Sequence, residues 1–372
     1  MKISPDTVIL VIVLSLVSIG VVMIYSASGI TPITERRHDQ YLFLKRQLQW
    51  VCIGLAVMFA FMYMDYHILE KLSYPFLFFA LFLLFLVLIP GLGKEAGGST
   101  RWLRLGPFAF QPSELMKYAL IVFLSASLSK KQYRLRDFRD GVLPYLILML
   151  PILFFVIKQR DLGTTIILGI IFIGMLFLAG ARFFHIGAMM LCSLPLLYLL
   201  VYKVSYRKAR ILAFLNPWDD PYGKGYHTIQ SLLALGSGGF GGLGLGASRQ
   251  KMLFLFAPHT DFIFSIIGEE LGFVGTMGII VLFFVFLWQG SKIALESKDP
   301  FGYLLACGIT FLIVLQAFLN IGVTCGVLPV TGLPLPFVSY GGSSLVFTMM
   351  GVGILVSIWR HKKTRGEGRR GA

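Results

Sequence analysis

Among the residues of this chain that could do chemistry, one carboxylate is in an unusual place. Asp261 lies where a long glycine-rich polar loop gives way to a strongly apolar run. An ionised side chain at the edge of a membrane is costly to hold, so its presence there needs a reason. A positioned carboxylate can take a proton from an attacking hydroxyl group, or it can handle ions. Asp261 is therefore the first candidate for a catalytic residue.

A pair of opposite charges near the start of another apolar run is the second candidate. Glu114 and Lys117 are three residues apart, so on a helix they share one face and can form an ion pair inside a bilayer. Fixing two helices together is an equal alternative, because buried pairs often serve specificity. Upstream, Arg101 and Trp102 can bind a phosphate and a sugar ring, or can simply sit at the membrane interface.

Two further groups of polar residues could complete a site around Asp261. Asp161 begins an apolar run, where it can cap a helix or line a polar cavity. Arg249 and Lys251 precede Asp261 in one loop, and a nearby cation favours the ionised form of a carboxylate. The loop candidates are, in full, Arg249, Lys251, His259 and Thr260.

Ser339 and Ser343 belong to a stretch, residues 328–344, that is too rich in proline and glycine for a regular helix. Irregular backbone at membrane depth is tolerated only where it is buried in protein or faces water, so this stretch predicts a re-entrant cavity wall. The two hydroxyls can bind an anion there, although capping of the last helix explains Ser343 nearly as well.

The composition shows which elements must position these residues. The chain is 56% hydrophobic and only 14% charged, as expected of a polytopic membrane protein. At about 20 residues per span, the apolar runs predict an all-α fold with ten transmembrane helices and no separate soluble domain within residues 1–372. The predicted spans are 7–27, 48–65, 74–90, 112–129, 141–157, 162–180, 184–202, 262–290, 301–323 and 342–359.

An even number of spans places both termini on one side of the membrane. Lysine and arginine are more frequent in the short segments of that side, including the basic tail 360–372, which predicts cytoplasmic termini. The segment 203–261, between the seventh and eighth spans, is then a large extracytoplasmic loop. Within it, Tyr226 to Leu235 has helical apolar spacing, which predicts a short amphipathic helix at the interface.

The net charge of +15 does not indicate a nucleic-acid partner, because the basic residues are scattered between spans. Anionic lipid, or another anion at the outer face, is the expected partner. The four cysteines lack the paired spacing of a metal site, and no nucleotide-binding or metallohydrolase motif is present. The residues alone indicate no metal site and no certain cofactor.

Several motifs, in this order, resemble the SEDS family of bacterial wall-building membrane proteins, which includes FtsW, RodA and SpoVE. The resemblance covers essentially the whole pattern of spans. The motifs are Tyr25-Ser26-Ala27-Ser28, Lys45-Arg46-Gln47, Arg101-Trp102 with Phe110-Gln111-Pro112-Ser113-Glu114, Asp161-Leu162-Gly163-Thr164, His259-Thr260-Asp261-Phe262, Gly268-Glu269-Glu270-Leu271-Gly272 and Pro336-Phe337-Val338-Ser339-Tyr340-Gly341-Gly342-Ser343-Ser344.

This resemblance implies a peptidoglycan glycosyltransferase that polymerises lipid II outside the cytoplasmic membrane and releases undecaprenyl diphosphate. It also implies a class B penicillin-binding protein as partner, together with other membrane proteins of the division or elongation complexes. Asp261 matches the catalytic aspartate of the family, and Glu114 and Lys117 match a functionally important pair. Arg101, Arg249 or Lys251 can hold the departing diphosphate, and a divalent cation, Mg²⁺ or Mn²⁺, can share that work.

Other features leave alternatives open. The long loop and Lys45-Arg46-Gln47 are more similar to FtsW and SpoVE, whereas residues 333–338 are more similar to RodA, and the first similarity is preferred. Ala257 stands where many relatives have a second acid close to the catalytic aspartate. The broken segment before the last span is also expected of a lipid II flippase. A third alternative is a non-catalytic scaffold for penicillin-binding proteins, with Gly272, Gly275 and Gly278 as a helix-packing face.

Overall fold

The computed structural model describes residues 4–28, 41–96, 99–105, 108–251 and 260–367. Helices dominate this part of the chain, and every predicted span overlaps a helix along most of its length. The α-helices are α1 (Pro5–Ser28), α2 (Leu42–Tyr63), α3 (His67–Lys71), α4 (Ser73–Leu86), α5 (Pro112–Lys131), α6 (Leu143–Lys158), α7 (Leu162–Leu178), α8 (Phe183–Tyr202), α9 (Ser205–Leu215), α10 (Tyr226–Ser237), α11 (Ile263–Glu296), α12 (Pro300–Thr324) and α13 (Gly342–Glu367).

Within the described residues, seven helices are long and apolar enough to cross a membrane. Two more predicted spans, α4 and α7, are apolar but shorter. The remaining one, α5, carries Glu114 and Lys117 near its start and is buried from Pro112 to Leu128. Neighbouring helices, not lipid, surround α5, and it forms the centre of the bundle. The opposite case is α8, in which only His185 and Ile186 are buried.

A small antiparallel sheet makes the all-α prediction incomplete. Its strands are β1 (Gly93–Ala96), β2 (Ser99–Leu105) and β3 (Phe108–Phe110), in the order β1-β2-β3. The strands are too short for their alternation to stand out in the sequence. The sheet matters because β2 carries Arg101 and β3 leads directly into α5.

The long loop before α11 has two helices. The predicted amphipathic helix is confirmed as α10, which buries Ile229 and Ala234 and packs along α11. The other, α9, was not predicted. Its three cations lie together in the first half and its apolar residues in the second, so the helical period is hard to recognise over so short a segment.

A kink interrupts α11 at Gly272, whose φ of 65° and ψ of −161° are not helical. The kink frees two carbonyl groups from the helix, and the glycine-rich loop binds them: Leu243 N–H donates to Glu269 O at 2.9 Å and Gly244 N–H to Glu270 O at 3.0 Å. A Cβ at position 272 would lie 2.3 Å from the nitrogen of Gly242. Only glycine fits at this crossing.

The kink also bears on the predicted helix-packing face of three glycines. Gly272 is covered by the glycine-rich loop of the same chain, and a Cβ on Gly275 would meet Leu271 of its own helix. A Cβ on Gly278 would meet no described atom within 4 Å. Of the three, Gly278 alone therefore faces open space in the described structure.

Candidate active site

Asp261 lies in the turn just before α11, and its backbone is fixed from two sides. Asn320 of α12 donates from Nδ2 to the carbonyl of Asp261 at 2.8 Å. Ser339 donates from Oγ to the carbonyl of Thr260 at 2.7 Å. The described residues make no hydrogen bond or ion pair to the Asp261 carboxylate, which stays partly accessible. The turn is rigidly held while the carboxylate is left available for a ligand.

The electrostatic surroundings of Asp261 raise the pKa of its carboxyl group. Burial is the largest cause, and the nearby charge of Asp161 acts in the same direction. Arg101 and Arg210 act in the opposite direction. A carboxylate whose pKa is raised is a stronger base when it is ionised, which suits proton abstraction. Two cations near it can also attract an anionic group.

Asp161 has the first of the two roles that the sequence left open, the helix cap, while lining of a polar cavity stays a prediction. It caps α7, with Oδ1 accepting from Thr164 N–H at 3.0 Å and Oδ2 accepting from Thr164 Oγ1 at 2.9 Å. Its Oδ2 also lies 3.7 Å from an Arg101 nitrogen. The capping carboxylate thus holds Arg101 at the site.

Strand β2 presents Arg101 to this site. A second guanidinium nitrogen of Arg101 donates to the carbonyl of Arg160 at 3.1 Å, and Arg160 itself is in the left-handed region with φ of 59°. Trp102 is the next residue on the strand, so pleating directs its half-buried ring to the opposite face of the sheet. A role for Trp102 in sugar binding stays a prediction.

The Glu114–Lys117 pair lies deep in the bundle, with each side chain at most 3% exposed. Lys117 Nζ is 2.9 Å from both carboxylate oxygens of Glu114 and donates to Gln316 Oε1 at 2.7 Å. Gln316 in turn donates from Nε2 to the carbonyl of Pro334 at 3.1 Å. In this arrangement the pair contacts protein and supports the proline-rich segment below Asp261. Direct contact with a substrate stays a prediction.

The proline-rich segment between α12 and α13 forms the wall beside Asp261. Gly332, with φ of 73°, leaves space there: a Cβ on it would lie 3.6 Å from Asp261 Oδ2. Ser339 Oγ accepts from Leu335 N–H at 2.8 Å, so its hydroxyl is committed to the backbone. Phe337 has φ of 68°, a strained conformation for a residue with a side chain. The segment is irregular, as the sequence predicted, and residues 335–339 are buried, while a cavity beside it stays a prediction.

Some buried polar atoms near this wall have no hydrogen-bond partner among the described residues. They are Asn320 Oδ1, Thr331 Oγ1 and Ser343 Oγ. Ser343 lies inside the first turn of α13 and does not cap the helix. Its role in anion binding stays a prediction, and its unpaired hydroxyl is compatible with one.

Arg249 and Lys251 have partners elsewhere. Lys251 Nζ lies 2.9 Å from Glu270 Oε1, and the backbone N–H of Arg249 donates to Glu269 Oε1 at 2.8 Å. The cations that affect the pKa of Asp261 are Arg101 and Arg210 instead. Binding of a diphosphate by Arg249 or Lys251 stays a prediction. The candidate His259 lies outside the described residues, and Thr260 contributes its carbonyl to the bond from Ser339.

Sequence reasoning missed Arg210 and His227. Arg210, on α9, reaches the proline-rich segment, where its guanidinium lies 3.4 Å from the carbonyl of Val330. The pKa of His227 is lowered by burial and by Arg210, and its ring stacks on Phe262 at 5.9 Å. The three cations at 207, 208 and 210 were the available signal, but nothing in their spacing shows which one faces the site.

A bound cation has no complete ligand set in the described part of the chain. No group of three or more histidine, cysteine, aspartate or glutamate side chains there is arranged to hold a metal ion. Asp161 and Asp261 are near enough to affect each other electrostatically, and they are the described carboxylates that a divalent cation bridging to a substrate would meet.

Comparison with known proteins gives a consistent result. A family model for FtsW, RodA and SpoVE, described as cell cycle protein, matches residues 6–364. The probable peptidoglycan glycosyltransferase FtsW of Geobacter sulfurreducens is 49% identical, over 95% of this chain and 94% of the relative. Stage V sporulation protein E of Bacillus subtilis is 45% identical, over 97% and 99%. A chain from a solved structure of a peptidoglycan synthase complex, described as coordinating polymerization and crosslinking, has a TM-score of 0.79 and 31% identity, over 95% and 97%.

Proposed function

Because the chain belongs to the FtsW/RodA/SpoVE family of cell cycle proteins, we propose that it is a peptidoglycan glycosyltransferase that polymerises lipid II. The observation that carries the proposal is the environment of Asp261. Its backbone is fixed, its carboxylate has no described partner, and two arginines lie near it.

In the proposed reaction, the hydroxyl oxygen of the acceptor sugar attacks the anomeric carbon of the donor. The proton of that hydroxyl passes to Asp261. The bond between the anomeric carbon and the diphosphate oxygen breaks, and undecaprenyl diphosphate leaves with the electron pair. Negative charge grows on the departing diphosphate, where Arg101 and Arg210 can stabilise it.

The finer architecture belongs to the same proposal. We infer ten membrane spans with both termini in the cytoplasm. They are the seven long helices together with α4, α5 and α7. Ten spans place the turn of Asp261 at the outer face, where lipid II is polymerised. Anionic lipid headgroups and the anionic substrate, both at that face, would account for the basic residues there.

The chain is similar to part of a synthase complex that joins polymerization to crosslinking. We therefore propose a crosslinking partner, a class B penicillin-binding protein, along with other membrane proteins of the division or sporulation complex. If Mg²⁺ or Mn²⁺ takes part, Asp161 and Asp261 would hold it, and it would help to neutralise the charge of the departing diphosphate. Omission of Mg²⁺ and Mn²⁺ from the assay, with a chelator present, tests that requirement.

The experiment that tests the function uses the purified full chain, lipid II and the class B partner in proteoliposomes. Wild-type protein should form glycan polymers, and Asp261→Asn, which keeps the shape of the side chain, should not. Asp219→Asn is the matched control, because Asp219 is an exposed aspartate of the same loop. Wild-type polymerisation by Asp261→Asn would reject the assignment.

The broken segment before α13 also suits a transport path. The same proteoliposomes separate the two activities: fluorescent lipid II that crosses the bilayer without polymer formation would indicate a flippase. A scaffold would tolerate Asp261→Asn in growing cells but not a bulky residue at Gly278, which faces open space.

A further inference from the structure

A second set of buried acids lies in the first turns of α11. Glu269 and Glu270 are each only 1% exposed. Neither takes part in the proposed proton transfer. Buried carboxylates are costly unless their oxygens are paired, so the contacts of these two should show what they are for.

Glu269 collects donors from three consecutive residues of the loop. Its Oε1 accepts from Arg249 N–H at 2.8 Å, and its Oε2 accepts from the hydroxyl of Ser248 and, at 3.3 Å, from Gln250 N–H. The loop backbone is thus wrapped around one carboxylate. No basic side chain pairs with Glu269 among the described residues, so its charge is balanced by backbone dipoles.

Glu270 joins the same loop to α1. Its Oε1 lies 2.9 Å from Lys251 Nζ and accepts from Ser26 Oγ at 2.6 Å. Lys251 Nζ also donates to Ser26 Oγ at 3.0 Å and to the carbonyl of Gly246 at 2.7 Å. All three donors of the ammonium group are used. Ser26, Ser248, Lys251, Glu269 and Glu270 are called the Glu269–Glu270 cluster below.

The position of the cluster in the chain connects it to Asp261. Lys251 precedes Asp261 by ten residues, and Asp261 precedes Glu269 by eight residues. Both ends of the stretch 261–270 are fixed: Glu269 and Glu270 by the cluster, and the turn of Asp261 by Asn320 and Ser339. Release of either end would let the turn of Asp261 move.

We propose that the Glu269–Glu270 cluster holds the start of α11 and with it the turn of Asp261, so that Glu269, Glu270 and Lys251 are positioning residues for the glycosyl transfer. This inference rests on the proposed function. The positioning role assigns a function to Tyr25-Ser26 and Gly268-Glu269-Glu270, two motifs that the proton transfer leaves unexplained. A misplacement of about 1 Å far from the reacting atoms can cost about a hundredfold in rate.

A charge-pair cycle tests the proposal. Lys251→Met alone leaves a buried carboxylate unpaired and should lower the yield of folded protein. The double variant Lys251→Met/Glu270→Gln removes both charges and should fold. We expect its kcat for polymerisation to fall by about 10- to 100-fold, with the KM for lipid II within about threefold of wild type. A double variant that regains wild-type kcat would overturn the proposal, since the pair would then serve the fold alone.

Hydrogen exchange gives a readout that does not depend on activity. Amides of residues 243–251 should exchange faster in the double variant, and unchanged exchange would contradict the proposal. The exposed pair Glu70–Lys130 supplies the matched control: Glu70→Gln/Lys130→Met should alter neither exchange nor polymerisation. If Asp261→Asn retains activity, the proposed base is wrong, while the exchange data still decide whether the cluster holds the loop.

A milder variant guards against failure to fold. Ser26→Ala removes one hydroxyl from Glu270 and Lys251 and leaves their ion pair. We expect a severalfold loss of kcat at constant KM, with no loss for Ser193→Ala, whose hydroxyl bonds only the backbone of its own helix. Wild-type kcat in Ser26→Ala with faster exchange would also overturn the proposal.

Discussion

Asp261 and Glu270 lie nine residues apart at the start of α11, and their carboxylates have opposite surroundings. Glu270 is closed off from solvent and accepts from Lys251 and Ser26. Asp261 is partly accessible, with no described donor to its carboxylate and with arginines nearby. A buried acid whose oxygens are all paired stabilises an arrangement, whereas an acid left without partners is available to react. On the proposed function, Glu270 therefore positions the start of α11, and Asp261 takes part in the reaction.

The largest effect, and the most severe test of this comparison, is expected at Asp261. Asp261→Asn should lower polymerisation by about 100- to 10,000-fold, as expected for loss of a general base. Stability should hold or rise. The pKa of Asp261 is raised in the folded state, so its ionisation destabilises the fold as pH rises above the ordinary carboxylate range. Thermal unfolding of both proteins at pH 5 and pH 8 checks this: Asp261→Asn should gain most over the wild type at pH 8, and a variant less stable than the wild type at pH 8 would contradict it.

The paired acids should behave in the reverse way, and Glu114 shows this best. Lys117→Met leaves Glu114 buried and unpaired, and should cost about 3–5 kcal/mol of unfolding free energy. The double variant Glu114→Gln/Lys117→Met should recover most of that loss. Denaturation of the detergent-solubilised protein measures both. If the double variant is as unstable as the single one, Lys117 must act through Gln316 and not through the charge of Glu114.

The pH dependence of polymerisation sharpens the comparison further. Activity should fall at low pH as Asp261 is protonated. Arg210 lowers the pKa of Asp261, so Arg210→Ala should raise this pKa and move the acid limb to higher pH. The charge of Asp161 raises the pKa, so Asp161→Asn should move the limb to lower pH. Rate profiles from pH 4 to pH 9 test the two signs, and shifts in the same direction would refute this account.

A small effect is expected at Gly332, where the wall comes close to Asp261. Gly332→Ala places a methyl group 3.6 Å from Asp261 Oδ2, at a φ of 73° that disfavours a side chain. We expect about 1 kcal/mol of destabilisation and a severalfold loss of activity. Gly278→Ala, in open space, should change neither. Equal effects of the two substitutions would show that the wall does not constrain the site.

The helices were largely predictable, because long apolar runs can satisfy their backbone in a membrane in few other ways. Asp261 and Asp161 could be singled out because each is a carboxylate directly before an apolar run, whereas Arg101 was noticed through its neighbour Trp102. The β-strands were missed because they are short and interrupted by glycine. Predicting them would have required seeing that β2 pairs with β1 and β3, which hydropathy does not reveal.

Partners within the long loop were harder to predict. Arg249 and Lys251 precede Asp261 closely, so the sequence suggested that they act on it. The structure pairs the Lys251 side chain with Glu270 and bonds the backbone N–H of Arg249 to Glu269, because the loop folds back across the kink at Gly272. Arg210 is some fifty residues from Asp261 in sequence, yet it affects the same carboxylate. Closeness in sequence suggested partners of Asp261 that the described structure does not show, and separation in sequence concealed the effect of Arg210.

The kink of α11 limits how this loop can change. Leu243 and Gly244 bind the freed carbonyls through backbone N–H groups, and Ser248 to Gln250 bind Glu269 only a few residues later. Side chains such as Leu245 point outward and can vary. One inserted or deleted residue between Gly244 and Ser248, however, would move one set of donors out of register with its acceptors. The loop should therefore tolerate substitution far better than any change in its length.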